Sequence, residues 1–148
     1  MKRILLAVAV LFSANTFAAD APVNEKVLKA FNEVFGYVKT VDWSEHSTAE
    51  SKMFEAYFRE AGTTTRIRYD EDGNILYTIR SYAEKHLPLL IQTKVRKAYP
   101  GKKVFGVTEL TNGEGVIYEI ALEDEKAWTI IRSDAHGLLF QHNKYKKG

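Results

Sequence analysis

The chain is similar to itself when it is shifted by 64 residues, and the two halves align without a gap. A fixed internal period indicates that one supersecondary unit is used twice, with corresponding residues in corresponding structural roles. We therefore expect two repeats, at about residues 24–86 and 88–148. The identical pairs include Lys39/Lys103, Glu45/Glu109, Glu50/Glu114, Glu55/Glu119, Thr65/Thr129, Ile67/Ile131, Arg68/Arg132, Asp70/Asp134 and Gly73/Gly137.

Many of the conservative matches between the halves fall on apolar positions. Such positions are the ones that packing constrains, whereas exposed side chains are free to diverge. We expect the matched apolar residues to form the core: Val27/Ile91, Phe31/Val95, Phe35/Tyr99, Val41/Phe105, Met53/Ile117, Phe54/Tyr118, Phe58/Leu122 and Ile75/Leu139.

The first residues have the pattern of a secretory signal. Lys2 and Arg3 precede a continuous apolar stretch at 4–12, and Thr16 and Ala18 place small residues at the cleavage-determining positions. We expect residues 1–18 to be removed and the protein to be periplasmic or secreted. The apolar stretch is shorter than the roughly 20 residues that span a bilayer, so we expect no membrane insertion after the signal is removed.

Charge and cysteine content limit the function of the mature chain. The whole chain has 21 Lys plus Arg and 19 Asp plus Glu, so removal of Lys2 and Arg3 leaves it formally neutral. A neutral domain lacks the long-range attraction for phosphate that nucleic-acid binding requires. The chain has no cysteine, so its stability must come from packing, and we expect residues 19–148 to form one domain whose halves share a core.

Each half is predicted to begin with a helix and continue as strands. Segments 25–36 and 87–100 have apolar residues at helical spacing, after which the apolar period changes to two. Segments 70–73 and 134–137 combine Asp with Gly, which favours hairpin turns. The sequence therefore predicts an α+β fold, a tandem repeat of one helix followed by three to four antiparallel strands, in one antiparallel sheet with both helices on one face.

Two helices cover only one face of such a sheet. The other face must meet water or a partner. If Phe54, Ala56 and Ile67 are core, alternation places Glu55 and Glu119, among others, on the uncovered face. This face is rich in the aromatic and arginine residues found at the centres of protein interfaces, although an ordinary exposed sheet with Glu–Arg pairs has the same pattern. The predicted binding residues are Tyr57, Arg66, Arg68, Trp128, Ile130 and Arg132. For the last strand of each half the pattern fits either face, because Ile75/Leu139 and Leu76/Phe140 are both apolar pairs.

Several short motifs extend over most of the mature chain. They are Val41-x-Trp43, Phe54-Glu55-Ala56, Tyr69-Asp70-x-Asp72-Gly73 and Leu87-Pro88. With the tandem arrangement, they resemble the PepSY-like family of exported bacterial proteins, which is related in fold to the secreted β-lactamase inhibitor proteins. The resemblance implies a curved, concave sheet flanked by helices and, in the inhibitors, a sheet that binds another protein. It implies no catalytic residue.

No motif predicts catalysis or a cofactor. The chain lacks cysteine nucleophiles, a Gly-x-Ser-x-Gly elbow and a phosphate-binding glycine loop, and its four histidines are scattered. Asp70, Asp72 and Asn74 have the spacing that begins a calcium loop, but no acidic residue closes it, which favours a turn. Because Glu55 and Glu119 recur symmetrically, we expect them to pair with Arg68 and Arg132 rather than to act as acid and base.

The leading hypothesis is a non-enzymatic, monomeric binding protein without a cofactor or metal, which binds or inhibits another protein or a peptide through the open face of its sheet. The alternative is a sensor or carrier of a small ligand, bound in an apolar cleft between the repeats. A third possibility is a structural protein of the cell envelope whose sheet edge pairs with its own copy.

Overall fold

The computed structural model describes residues 23–147, so the predicted signal at 1–18 lies outside the described residues. Two α-helices, one short 3-10 helix and eight strands follow one another along this part of the chain. Their bounds are α1 Glu25–Phe35, β1 Asp42–Ser47, β2 Lys52–Glu60, β3 Thr63–Asp70, β4 Ile75–Tyr82, η1 Glu84–His86, α2 Leu89–Ala98, β5 Lys103–Asn112, β6 Gly115–Glu123, β7 Ala127–Asp134 and β8 Leu139–Lys146.

The eight strands form one antiparallel sheet in which spatial order equals chain order. Every strand therefore pairs only with its neighbours in sequence, and four strands follow each α-helix. The predicted α+β class and the single antiparallel sheet are confirmed.

Residues that favour helix ends lie at the boundaries of both helices. The Asn24 side chain accepts a hydrogen bond from the Val27 amide at 2.9 Å, which caps α1, and Gly36 follows its last turn. Pro88 precedes α2 and needs no amide donor there. Each helix buries one stripe of side chains against the sheet.

The strand register places both helices on the same face. Phe58 lies opposite Thr65, Thr65 opposite Arg80, Arg80 opposite Glu109 and Glu109 opposite Tyr118, and directly opposed residues share a face. Phe58 belongs to the buried cluster that contains α1 residues, and Tyr118 to the cluster that contains α2 residues.

The buried apolar side chains form two clusters rather than the single shared core that we expected, and only the second contains residues of both halves, because it includes Tyr82 of β4. The two strands at the junction carry Thr78 and Arg80 on β4, and Glu109 and Thr111 on β5, on the helix face, and these polar residues separate the clusters. The first cluster is Val27, Phe31, Phe54, Ala56, Phe58, Ile67 and Tyr69. The second is Tyr82, Leu87, Ile91, Val95, Val107, Tyr118, Ile120, Leu122 and Ile131.

Candidate binding face

The face of the sheet opposite α1 and α2, called here the open face, carries all six predicted binding residues. Tyr57 lies opposite Arg66 in the β2–β3 pair, and their chain neighbours Ala56 and Ile67 are fully buried on the helix side. On β7 the same alternation puts Ile131 in the core, and Trp128, Ile130 and Arg132 on the open face.

The structure does not bring these six residues together. Tyr57, Arg66 and Arg68 lie on β2 and β3, whereas the other three lie on β7, four strands beyond β3. At about 4.8 Å per strand the two groups are roughly 19 Å apart along the sheet. They belong to one surface but to different parts of it.

Two repeated ion pairs lie on the open face, as the sequence predicts. Arg68 Nη2 donates to Glu55 Oε2 at 2.8 Å, and Arg132 Nε and Nη2 donate to Glu119 Oε2 at 3.0 and 2.9 Å. The Arg68 side chain is 22% exposed and also lies over the Tyr77 ring. Arg68 and Arg132 are therefore held on the sheet by ion pairs with neighbouring strands. Arg66 is exposed, and its guanidinium group lies over the Tyr57 ring.

Large apolar side chains on the open face extend the site beyond the prediction. Leu110 and Ile117 lie opposite each other on β5 and β6 and are 38% and 37% exposed. The expected core positions of Ile117 and of Ile75, which is also exposed, are therefore wrong. Phe140 lies opposite Arg132, whereas Leu139 lies opposite the buried Ser133, which settles the face of β8. Alternation along β5 could have identified Leu110, because Val107 is buried on the helix side.

Phe105 is displaced onto the open face by a β-bulge. Val104 lies opposite Leu122 and packs at the core, and Gly106 lies opposite Ala121, so Phe105 has no partner of its own. Its ring is 68% exposed and meets the Trp128 ring edge-on at 4.8 Å between centroids. The expected equivalence of Phe105 with the partly buried Val41 is therefore wrong, because one extra residue in β5 reverses the side-chain direction.

A concavity lies on the helix side of the sheet, above the polar residues that separate the two clusters. It encloses about 540 Å³ and has an aromatic wall that includes Phe35 and Tyr37. Glu109 accepts hydrogen bonds from Tyr82 Oη at 2.5 Å and from Arg80 Nη1 at 3.3 Å. Burial and then the Glu109 hydrogen bond raise the pKa of the Tyr82 hydroxyl. The cleft between the halves is thus partly polar, not the apolar pocket that the small-ligand alternative predicts.

The acidic segment that begins at Asp70 is folded as a hydrogen-bonded turn. Asp70 Oδ1 accepts the amides of Asp72 and Asn74 at 2.9 Å, and Asp72 bonds Lys26 Nζ at 2.6 Å. In the part of the chain that the structure describes, no three His, Asp or Glu side chains are grouped to hold a metal ion. None of the helices found between residues 23 and 147 has the length and apolar character needed to cross a membrane.

The fold is similar to that of several solved structures from Bacteroides. A BLIP-like protein from Bacteroides fragilis is 17% identical, with a TM-score of 0.64 over 86% of this chain and 90% of that chain. A DUF2874 family protein from Bacteroides ovatus is 16% identical, with a TM-score of 0.63 over 86% and 89% of the two chains. A putative periplasmic protein from Bacteroides eggerthii is 15% identical, with a TM-score of 0.60 over 85% and 90%.

These matches show a BLIP-like fold and nothing about activity, because fold does not determine function at such low identity. No protein-family model and no curated protein matches the chain. The resemblance to the PepSY-like family therefore remains a prediction from the sequence motifs.

Proposed function

We propose that this protein is an exported, non-enzymatic binding protein that holds another protein or a peptide against its open face. The observation that carries the proposal is that the helices cover one face of the sheet and leave the other uncovered. Both helices pack on one face, while the other presents exposed Phe105, Leu110, Ile117, Phe140 and Tyr145. Apolar surface of this kind favours a partner, because its transfer from water stabilises a complex.

The size of the open face suits a protein partner. Eight strands at about 4.8 Å spacing give a sheet roughly 34 Å across. A stable interface of standard size needs about 800 Å² from each protein. A face of this width can supply that area without a deep pocket.

The solved structures give supporting context for binding and for export. One structural neighbour is named BLIP-like and another a putative periplasmic protein. Together with the predicted signal at 1–18, they support a periplasmic or secreted protein that acts on a partner in the same compartment. We infer that the protein acts on this partner as a monomer.

We also propose that the chain contains an internal repeat. We infer that residues 24–86 and 88–148 are two copies of one unit. The equivalent ion pairs Glu55–Arg68 and Glu119–Arg132 support this inference. The halves differ in the exposed side chains around these pairs, as a single asymmetric partner would require.

The test is capture from an envelope extract of the native organism by three forms of the mature protein. The forms are wild type, Tyr57→Ala/Trp128→Ala on the open face, and Tyr37→Ala/Leu89→Ala on the helix side. Tyr37 and Leu89 are 65% and 76% exposed, so their loss is a matched control for lost apolar surface.

Wild type and the helix-side control should retain the same protein, identified by mass spectrometry, and the open-face variant should lose it. Thermal melts by circular dichroism would verify that all three forms are folded. Retention of the same protein by the open-face variant would contradict the proposed site.

A second candidate function is a small-ligand carrier, favoured by the 540 Å³ cleft on the helix side. Its aromatic wall and the Arg80–Glu109 pair suit a ligand with an apolar body and a polar group. Ligand co-purification that is lost in Tyr37→Ala but kept in the open-face variant would favour this function over protein capture.

A further inference from the structure

A shallow depression lies on the open face at the β-bulge in β5. It encloses about 280 Å³. The lining residues that the register places on the open face are Ser81, Phe105, Gly106, Thr108, Glu119, Ala121 and Ile130.

The bulge itself creates this depression. Gly106 and Ala121 lie opposite each other on β5 and β6, so the two smallest side chains of this region meet at the floor. Phe105 on one side and Ile130 on the other rise above them as walls. A regular strand would instead have turned Phe105 toward the core and left no wall here.

The depression has an apolar floor, two apolar walls and no unpaired charge, and the uncharged side chains of Ser81 and Thr108 complete its lining. Among the described residues that line it, Glu119 is the only carboxylate, and Arg132 binds it through two hydrogen bonds. A charged side chain placed here would lose its hydration and find no free opposite charge, which is costly. An uncharged apolar side chain would bury its own surface and that of the exposed Phe105 ring.

We propose that this depression is the anchor pocket for an uncharged apolar side chain, of about the size of Phe or Leu, that the partner protein presents. This inference rests on the proposed function and adds to it the chemistry of the central contact. Binding energy at interfaces concentrates where one apolar side chain fills a pocket and neighbouring contacts exclude water. Here Trp128 and Tyr145 on β7 and β8 lie opposite each other beside the pocket and provide those contacts.

The matched test fills the pocket without removing any contact. A Cβ added at Gly106 would meet no atom within 4 Å, so Gly106→Val can occupy the depression while the strand stays in place. Gly113, in the turn after β5, is equally unobstructed, and Gly113→Val is the control. Ala121→Leu fills the same pocket from β6 and serves as a second variant.

The probes are N-acetyl-phenylalanine amide and N-acetyl-lysine amide, titrated into isotope-labelled mature protein and followed by amide NMR shifts. The phenylalanine probe should give saturable shifts at Gly106, Ala121 and Ile130 in wild type and Gly113→Val. Its affinity should fall by about tenfold or more in Gly106→Val and Ala121→Leu. Absent shifts, unchanged affinity in the filled variants, or equal binding of the lysine probe would overturn the proposal.

The capture experiment separates this inference from the proposed function. Loss of the captured protein in both Tyr57→Ala/Trp128→Ala and Gly106→Val supports the anchor pocket. Loss in the first variant with full retention in Gly106→Val overturns the anchor pocket and leaves the binding face standing.

Discussion

At the scale of single residues, aspartates hold the turns of the sheet through their backbone neighbours. Asp134 Oδ1 accepts the amides of His136 and Leu138 at 2.9 Å, and Asp70 makes the equivalent bonds in the first half. Asp124, between β6 and β7, accepts the amides of Lys126 and Ala127 at 2.8 Å and also binds Lys102. Such bonds stabilise the ionised carboxylate, so these turns depend on its charge.

Asp124 predicts an acid-dependent loss of stability. The Lys102 hydrogen bond, followed by the two backbone amides, lowers the pKa of Asp124 from 3.8 to about 2. Because the folded-state pKa lies below the unfolded value, the contribution is complete above about pH 4 and is lost as the pH falls toward about 2. We expect Asp124→Asn to be less stable at neutral pH and to show a shallower fall in melting temperature across this window.

The measurement is a series of thermal melts by circular dichroism from neutral to acidic pH. Glu125→Gln changes the next, exposed residue and should follow wild type. If the melting temperatures of wild type and Asp124→Asn fell in parallel with pH, Asp124 would not be the source of the acid-dependent loss of stability.

At the scale of elements, α1 is docked onto the turn between β3 and β4. Asn24 Nδ2 donates to the Glu71 carbonyl at 2.8 Å, and Lys26 binds Asp72. Gly73 has φ +85°, and a Cβ there would lie 2.8 Å from the Lys26 carbonyl oxygen. The glycine therefore permits both the turn and the close approach of the helix.

Two glycine substitutions separate these effects. Gly62, with φ +79°, has no atom within 4 Å of an added Cβ, so Gly62→Ala should cost only the left-handed strain of about 1–2 kcal/mol. Gly73→Ala should cost clearly more, because α1 must also move. Urea unfolding measures both free energies, and equal losses would show that the helix contact at Gly73 adds nothing.

Most elements could be predicted from local sequence, while their departures from regularity could not. Helical spacing predicted α1, and alternation placed Tyr57 and Trp128 on the open face, because side-chain direction follows directly from period. The direction of Phe105 could not be predicted, since a bulge depends on how β5 pairs with β6 and not on β5 alone. The same limit applies to β8, whose face is set by pairing across the sheet.

At the scale of the whole molecule, two apolar clusters share one sheet without merging. Each helix stabilises its own cluster, and the polar residues Arg80 and Glu109 lie between them. The halves are therefore joined by the ladder between β4 and β5 and by Tyr82 of β4, which is buried in the second cluster. Packing changes in one cluster should have little energetic effect on the other.

Double-mutant cycles test this separation. Ile67 and Ile131 are fully buried in different clusters, so Ile67→Val and Ile131→Val should each cost about 0.5–1.5 kcal/mol and add within roughly 0.5 kcal/mol. Phe31 and Phe58 are in one cluster with ring centroids 5.8 Å apart, so Phe31→Leu and Phe58→Leu should couple by about 0.5 kcal/mol or more. Denaturant unfolding gives all the free energies, and coupling between the two isoleucines would contradict separate clusters.

The order of the strands in the sheet also determines how the chain can acquire its structure. Because every strand pairs with the strand next to it in sequence, no pairing has to wait for a distant segment to arrive. Six of the seven pairings close short loops, which lose little chain entropy and form quickly, whereas the β4–β5 pairing closes the longer connection that contains η1 and α2. A chain that is exported as proposed here, and so emerges progressively from a translocation pore, can therefore add its strands in order to a growing sheet, with each new strand covering the edge that the previous one left open.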